Sequence, residues 1–310
     1  MTEKEFLWYY FLFDLTLVVA DIIQLGFGLG SARATNRRRK GLASVADREL
    51  IDTVVMAIKA GYYHLDCAEA YDNETELGIA IKESGVPREK LYITTKNSGT
   101  IPTDTRKSFA ESLERLQLNY VDLYLIHAPF FADSPRDIQK KWADMEAILA
   151  SGRAKSIGVS NFPQHHLETL LATAKATPAI NQIEYHPYLQ HGDLMFFHKK
   201  HNISIAAYGP LTSITRGSPG PLDETYKTLV EKYSVGEGEF LLRWCLGQGV
   251  VPITTSGRED RLNNYLRAFD FKLTLNEVQE IAEIGKQKHF NLGVAGLPGS
   301  KKTINLRWAI

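Results

Sequence analysis

Apolar and polar positions along this chain follow a repeating strand and helix pattern. From residue 22 onward, short runs rich in β-branched residues alternate with amphipathic segments of about ten to fifteen residues. The pattern predicts eight strands, at residues 22–27, 63–66, 91–95, 121–127, 156–160, 180–184, 204–208 and 250–253. It predicts a helix after each strand, at residues 47–60, 74–84, 104–117, 138–151, 163–174, 192–201, 225–233 and 258–268.

Eight alternating units predict an α/β fold of one domain, a parallel (β/α)8 TIM barrel over residues 22–288. A further amphipathic segment at residues 273–288 opens with Thr274 and Glu277, the spacing of a capping box, and predicts an extra C-terminal helix outside the barrel. The loop at residues 213–222 is rich in glycine and proline and is expected to form a mobile flap. Because such barrels carry their active sites at the C-terminal ends of the strands, polar residues there are the candidates for chemistry.

The two ends of the chain do not fit the barrel pattern. Residues 1–21 form an atypical, largely apolar extension, and residues 289–310 form an atypical tail. Asp14 and Asp21 would each cost roughly 2.5 to 3.5 kcal/mol within a membrane-spanning helix. We therefore expect no membrane partner. An irregular extension packed against the barrel and a segment wrongly joined to the gene fit the sequence equally well, and a membrane anchor stays open as the minority alternative.

Composition narrows the class of partner. The chain has 310 residues, with 36 Lys and Arg against 36 Asp and Glu, so its formal net charge is zero. It has no broad positive field to hold nucleic acid, and a small neutral molecule is the expected partner. Cys67 and Cys245 lie far apart in apolar contexts, which is typical of a reducing compartment, and a cytoplasmic location is expected.

The cysteines and histidines do not have the spacing of a zinc site, so no metal is expected. The chain is expected to be a monomer or a weak dimer.

Four polar residues lie at the ends of neighbouring predicted strands. Asp66 ends the second strand, Tyr71 lies in the loop after it, Lys96 follows the third strand and His127 ends the fourth. Because parallel strands of a barrel end on the same face, these side chains should meet in one patch.

The segments around these residues resemble blocks of the aldo-keto reductase family, in which the four matching positions form an Asp, Tyr, Lys and His tetrad. The resemblance extends over roughly residues 22–288. The matching blocks, in chain order, are GYYHLDCAEAY at 61–71, ITTK at 93–96, VDLYLIH at 121–127, GVSNF at 158–162, NQIEYHP at 181–187 and AYGPL at 207–211.

The resemblance implies reduction of a carbonyl to an alcohol, and each residue type suits that chemistry. Hydride addition to the carbonyl carbon leaves an oxygen that must be protonated, and Tyr71 is the expected acid. The ammonium of Lys96 is expected to lower the pKa of Tyr71, and Asp66 is expected to hold Lys96 charged. His127 is expected to bind the substrate by donating a hydrogen bond to the carbonyl oxygen.

The resemblance also implies NADPH as cofactor, held without a Rossmann module, because no GxGxxG follows a strand and opens a helix. A turn containing Gly30 is expected to pass beside the nicotinamide, and Tyr208 is expected to stack on the ring. Ser160, Asn161 and Gln182 are expected to bind the carboxamide. The block after the seventh strand adds three cofactor-binding positions: Gly209, Pro210 and Leu211.

The stretch expected to meet the adenine end departs from the commonest family pattern. Many relatives carry a lysine and an arginine that hold the 2′-phosphate, whereas Thr255 and Ser256 stand here where lysine and serine would be. Arg258 and Arg261 remain as phosphate-binding candidates at the start of a predicted helix. The Thr-Thr-Ser variant resembles the fungal branch of conjugated polyketone and α-keto amide reductases. That resemblance implies activated ketones as substrates and a place in fungal secondary metabolism.

Phe27, at the end of the first predicted strand, and Phe130, in the loop after the fourth, are the expected walls of a substrate pocket. Two readings other than an active reductase stay open. The chain could be a regulatory or structural barrel that binds the cofactor with little turnover, or, given its unusual ends, a product without function.

Overall fold

The computed structural model describes residues 24–30, 46–98 and 104–293. Eight parallel strands follow one another round a closed barrel, and β8 pairs with β1. The strands are β1 Gly26–Gly28, β2 His64–Asp66, β3 Tyr92–Asn97, β4 Val121–Ile126, β5 Ala154–Ser160, β6 Ile180–Glu184, β7 Ser204–Tyr208 and β8 Val250–Thr254. The predicted single (β/α)8 barrel is confirmed.

The helices pack round the outside of the barrel. They are α1 Arg48–Lys59, α2 Glu74–Ser84, α3 Thr105–Leu116, α4 Pro135–Ala150, α5 Gln164–Leu171, α6 Asp193–Lys200, α7 Asp223–Tyr233, α8 Glu237–Gly247, α9 Glu259–Leu266 and α10 Leu275–Gly285. Helix α10 is the predicted C-terminal helix, and Thr274 and Glu277 form its capping box. No helix in these described ranges is both long and apolar enough to cross a membrane.

Helix α8 was not predicted from the sequence. Glycines at 236, 238 and 247 interrupt the segment, and its apolar residues run almost continuously from Phe240 to Cys245. Every residue from Phe240 to Cys245 except Arg243 is buried, so the stretch lacks the 3.6-residue periodicity that marks a half-exposed helix.

The ends of the chain fall largely outside the described residues. The predicted first strand, 22–27, is observed only as Gly26–Gly28, and residues 22 and 23 lie outside the described part. The extension at 1–21 also lies outside it, and the tail is described only as far as residue 293.

Alternate strand residues face opposite sides of the barrel wall. Leu65 and Ile93 belong to the apolar cluster between the wall and the helices. Asp66 follows Leu65 on β2 and faces inward, because it bonds Gln182 on β6, four strands away round the barrel. Lys96 is likewise fully buried and reaches Asp66. The alternation that builds the apolar outer layer therefore also places polar groups inside the barrel.

Helices α2 and α3 meet at Gly78, where close approach of the backbones requires glycine. A Cβ at this position would lie 2.4 Å from the backbone oxygen of Leu116. The obstructing atom belongs to the backbone, so a rotamer change cannot relieve the clash.

We expect Gly78→Ala to lower the free energy of unfolding by about 1 to 3 kcal/mol, because it overpacks this helix crossing. In the matched variant Gly247→Ala, at the end of α8, the new Cβ has only Val278 Cγ2 near it, at 4.0 Å. That change should leave the unfolding free energy unchanged or raise it by at most about 1 kcal/mol. Equilibrium urea unfolding measures both, and equal stability of the two variants would contradict the close crossing.

Candidate active site

Strands β2, β3 and β4 bring the four predicted catalytic residues to one end of the barrel. Asp66 is the last residue of β2, and Tyr71 ends the short 3₁₀ turn Glu69–Tyr71 that follows. Lys96 lies near the end of β3, and His127 comes directly after β4.

Lys96 and Asp66 form an ion pair at the base of this patch. Lys96 Nζ donates to Asp66 Oδ1 at 2.5 Å and to the backbone oxygen of Cys67 at 2.8 Å. Burial alone would lower the pKa of Lys96, but the carboxylate of Asp66 and the neighbouring Tyr71 together outweigh it, and the pKa lies above its ordinary value. Lys96 therefore stays charged although its side chain has no exposed surface.

Tyr71 lies above the ion pair and is half-buried. Lys96 Nζ is 5.1 Å from the centre of its ring. Burial raises the pKa of Tyr71, and the charge of Lys96 opposes that rise without cancelling it. We expected Lys96 to lower this pKa. Its contribution has that sign, but the net shift is upward, so the phenol keeps its proton at neutral pH.

His127 packs edge-on against Tyr71. The ring centres are 5.3 Å apart, and His127 Nε2 lies 3.4 Å from Tyr71 Oη. Burial, helped by the charge of Lys96, holds the pKa of His127 well below its ordinary value. The imidazole is therefore neutral at pH 7 and has one N–H to donate.

A second polar group, on β5 and β7, lies beside the tetrad. Asn161 Nδ2 donates to the backbone oxygen of His127 at 2.9 Å and to Ser160 Oγ at 3.0 Å. Asn161 Oδ1 accepts from Tyr208 Oη at 2.8 Å. Asn161 adopts a φ of 60°, in the left-handed region that asparagine tolerates better than most residues. These bonds fix the Asn161 amide and the orientation of Tyr208.

Gln182 connects this group to the ion pair. Ser160 Oγ donates to the backbone oxygen of Gln182 at 2.8 Å. The side-chain Nε2 of Gln182 donates to Asp66 Oδ2, also at 2.8 Å, across the barrel interior. The structure therefore joins predicted cofactor-binding residues and predicted catalytic residues in one hydrogen-bonded network.

Two predicted glycines lie at the same end of the barrel. A Cβ on Gly30 would lie 3.5 Å from Tyr71 Oη, so this residue borders the phenol. Gly209 follows β7 with a φ of 63°, which favours glycine. After it, Pro210 is buried and Leu211 is half-buried.

The residues predicted to meet the adenine end lie between β8 and α9. Ser256 is buried, and its Oγ accepts from the backbone N–H of Arg258 at 3.1 Å. Thr255, Arg258 and Arg261 are exposed. Arg258 is paired with Asp260, with Nε 3.0 Å from Oδ1. Within the described part of the chain, Arg261 has no ion-pair partner.

The two aromatic residues predicted to wall the pocket occupy different places. Phe130 follows β4 and is 36% exposed. Phe27 has no exposed surface, packs edge-on against Tyr62 with ring centres 6.0 Å apart, and belongs to the cluster behind the barrel wall. Its neighbours Gly26 and Gly28 take the inward positions of β1. A pocket-wall role for Phe27 does not fit this position.

The C-terminal segment contacts the end of β6, a contact that sequence analysis missed. Leu292 N–H donates to Glu184 Oε1 at 2.8 Å, and His186 Nε2 lies 3.0 Å from the same oxygen. A Cβ on Gly209 would lie 2.9 Å from Leu292 Cδ1, so the segment also reaches the residue after Tyr208. Glu184 stands out in the sequence as a polar residue at a strand end, but nothing local reveals a partner 108 positions away.

Lys288 joins the same segment to the glycine- and proline-rich loop after β7. Its Nζ donates to the backbone oxygens of Gly217 at 2.6 Å and Pro219 at 2.7 Å. The loop predicted to be a flap is therefore tied to the C-terminal segment. Nothing in the described ranges groups three or more histidine, cysteine or acidic side chains in a way that could hold a metal.

The sequence and the fold both match known proteins. Residues 24–286 match the Aldo/keto reductase family. An NAD/NADP-dependent indole-3-acetaldehyde reductase of Schizosaccharomyces pombe is 39% identical over 269 residues, which cover 85% of this chain and 92% of that protein. The NADPH-dependent alpha-keto amide reductase of Saccharomyces cerevisiae is 36% identical over 247 residues, 76% of this chain and 79% of that protein.

A solved structure agrees with these relatives. The Bombyx mori aldo-keto reductase in complex with NADP superimposes with a TM-score of 0.74 at 34% identity and covers 84% of this chain and 88% of that one. The chain therefore belongs to the aldo/keto reductase family and is an oxidoreductase of that family.

Proposed function

We propose that this protein reduces an aldehyde or an activated ketone to an alcohol with NADPH, and that Tyr71 donates the proton. The observation that carries the proposal is the contact of a half-buried phenol with a buried ammonium and a neutral imidazole at the barrel mouth. Relatives that act on carbonyl compounds, named for an acetaldehyde and for a keto amide, support the reaction class.

The residues beside the tetrad fit a nicotinamide. The ring of Tyr208 is half-buried and can stack, and the small Gly30 leaves room next to the phenol. Gln182 Oε1 has no hydrogen-bond partner among the described residues and can accept from a carboxamide. The cofactor, when bound, supplies a hydride to the carbonyl carbon.

The side chains of this protein carry the rest of the chemistry. His127 donates its imidazole N–H to the carbonyl oxygen, which orients the substrate and polarises the bond. As negative charge develops on that oxygen, Tyr71 Oη releases its proton to it. Lys96 stabilises the phenolate that remains, and Asp66 keeps Lys96 charged and in place.

NADPH is proposed over NADH on the strength of Arg261. This guanidinium is exposed in the first turn of α9 without an ion-pair partner in the described part of the chain, whereas Arg258 is engaged by Asp260. A 2′-phosphate would meet both a free cation and the positive end of the helix dipole.

The substrate class and setting rest on the resemblance of the Thr255 and Ser256 variant to fungal reductases of activated ketones. On that ground we propose an activated carbonyl as substrate and a role in fungal secondary metabolism. Cys67 and Cys245 are both buried and unpaired, which supports a cytoplasmic location.

A screen of aldehydes, α-diketones and α-keto amides with NADPH and NADH in parallel tests the reaction itself. We expect NADPH oxidation with at least one activated carbonyl. Tight NADPH binding without turnover across the panel would instead favour a cofactor-binding barrel with a regulatory or structural role.

Tyr71→Phe should lower kcat by about 10² to 10⁴-fold, because it removes only the proton donor. The affinity for NADPH, measured by quenching of intrinsic fluorescence, should stay within about twofold of the unsubstituted protein. Tyr233→Phe is the matched control, because that hydroxyl bonds Glu277 on the outer helices. Turnover of Tyr71→Phe equal to that of Tyr233→Phe would exclude Tyr71 as the acid.

Arg261→Ala should weaken NADPH binding by roughly tenfold and leave NADH binding nearly unchanged, because only NADPH has the 2′-phosphate. Arg258→Ala is the matched control and should have the smaller effect, since its guanidinium already pairs with Asp260. Fluorescence titrations with NADPH and NADH measure the affinity of each variant for both cofactors. Equal weakening of NADPH and NADH by Arg261→Ala would refute the phosphate contact.

The pH dependence follows from the two pKa shifts. Reduction needs protonated Tyr71, whose pKa is raised above its ordinary value of 10.0, so kcat should fall only at pH above about 10. His127 is already neutral and should add no step between about pH 6.5 and 9. The reverse oxidation needs the phenolate and should instead gain with pH. A one-proton loss of reductase activity near pH 7 would contradict both assignments.

A further inference from the structure

The side-chain amide of Gln182 is held at one end and free at the other. Its Nε2 donates to Asp66 Oδ2 at 2.8 Å. Its Oε1 has no hydrogen-bond partner among the described residues and keeps some exposed surface. Ser160 Oγ holds the backbone of Gln182 from β5.

Asp66 decides which end of this amide is free. An ionised carboxylate oxygen only accepts hydrogen bonds, so the NH₂ of Gln182 must face it. The opposite orientation would set two oxygens against each other in the barrel interior, where the loss of a hydrogen bond is costly. The other oxygen of Asp66 accepts from the ammonium of Lys96, so both oxygens act as acceptors.

We propose that Asp66 acts through Gln182 as a positioning residue of the cofactor site. By fixing the amide, the carboxylate presents Gln182 Oε1 as an acceptor for the NH₂ group of the nicotinamide carboxamide. One buried anion therefore orients Lys96 with one oxygen and, with the other, sets which carboxamide group the site recognises. This inference rests on the proposed use of NADPH.

Asp66→Asn should reverse the orientation of the Gln182 side-chain amide. In that variant Lys96 still requires an acceptor, so the oxygen of the introduced amide faces Lys96. The NH₂ group of the introduced amide then faces Gln182. A donor at this place should turn the Gln182 amide over and present NH₂, in place of the oxygen, to the cofactor.

The 3-acetylpyridine analogue of NADPH measures this change, because it keeps the carbonyl but replaces the carboxamide NH₂ with a methyl group. The unsubstituted protein should bind NADPH roughly 3- to 10-fold more tightly than the analogue, the effect of one neutral hydrogen bond. In Asp66→Asn the ratio of the two dissociation constants should fall to within about twofold of one. Gln182→Met, which lacks both amide groups, should give the same low ratio.

Gln139→Met is the matched control. It makes the same change of side chain as Gln182→Met, but the Gln139 amide bonds the backbone oxygen of Thr169 between the outer helices α4 and α5. Both cofactors should bind to it as they bind to the unsubstituted protein, with their ratio preserved. An Asp66→Asn or Gln182→Met protein that discriminates as well as the unsubstituted one would overturn the proposal, as would equal loss of discrimination in Gln139→Met.

A second measurement avoids substitution of Asp66, should that variant fail to fold. The side-chain ¹⁵N–H signals of Gln182 are assigned by their loss in Gln182→Met and are then followed on addition of NADPH. They should keep the shift and slow exchange of a bonded amide. If NADPH instead gives these signals the shift and fast exchange of a solvated amide, the cofactor breaks the bond between Gln182 and Asp66, which would contradict the proposal.

These outcomes also separate the inference from the proposed function. Discrimination between the two cofactors without turnover of any carbonyl would support the inference and remove the proposed reaction. Turnover of a carbonyl, together with an unchanged ratio of the two dissociation constants in Asp66→Asn and Gln182→Met, would support the proposed reaction and overturn the inference. An unsubstituted protein that binds neither cofactor would overturn both.

Discussion

The ion pair of Lys96 and Asp66 lies inside the barrel with almost no exposed surface. Removing one partner of such a pair typically costs about 3 to 5 kcal/mol, because the other charge stays buried and uncompensated. Three hydrogen bonds surround the two charges: Lys96 bonds Asp66 Oδ1 and the backbone oxygen of Cys67, and Gln182 bonds Asp66 Oδ2. The barrel can keep this polar group in its interior only because both partners and their hydrogen bonds are present.

The electrostatics of the site follow from this pair. The charge of Lys96 opposes the rise that burial imposes on the pKa of Tyr71, and it helps hold His127 neutral. A phenol that keeps its proton beside a neutral imidazole is suited to protonating a developing alkoxide. The same pair reaches β6 through Gln182, so the proposed acid and the proposed cofactor site share one buried anion.

Much of the fold, and the meeting of four polar side chains at one end of the barrel, could be predicted, because both depend on local patterns. Strand and helix periodicities identified the eight strands, and parallel strands that end on one face accounted for the meeting of Asp66, Tyr71, Lys96 and His127. Helix α8 was missed because burial on nearly all sides removes the amphipathic signal. Phe27 was misplaced because the inward and outward faces of a strand with only three residues cannot be assigned from its own sequence.

Other features depend on contacts that sequence spacing does not encode. The Gln182 bond to Asp66 spans 116 positions, and the Leu292 bond to Glu184 spans 108. The sign of the net pKa shift at Tyr71 also needed the structure, since it is the balance of burial against a neighbouring charge.

The central claim, that the buried ammonium of Lys96 tunes the phenol of Tyr71, is tested most directly by titrating that phenol. Protein labelled with ¹³C at the tyrosine ring reports the ionisation of Tyr71, assigned by the signal lost in Tyr71→Phe. We predict that Tyr71 ionises at a higher pH in Lys96→Met than in the unsubstituted protein, because the charge that favours phenolate is gone. Ionisation at the same or a lower pH in Lys96→Met would contradict it.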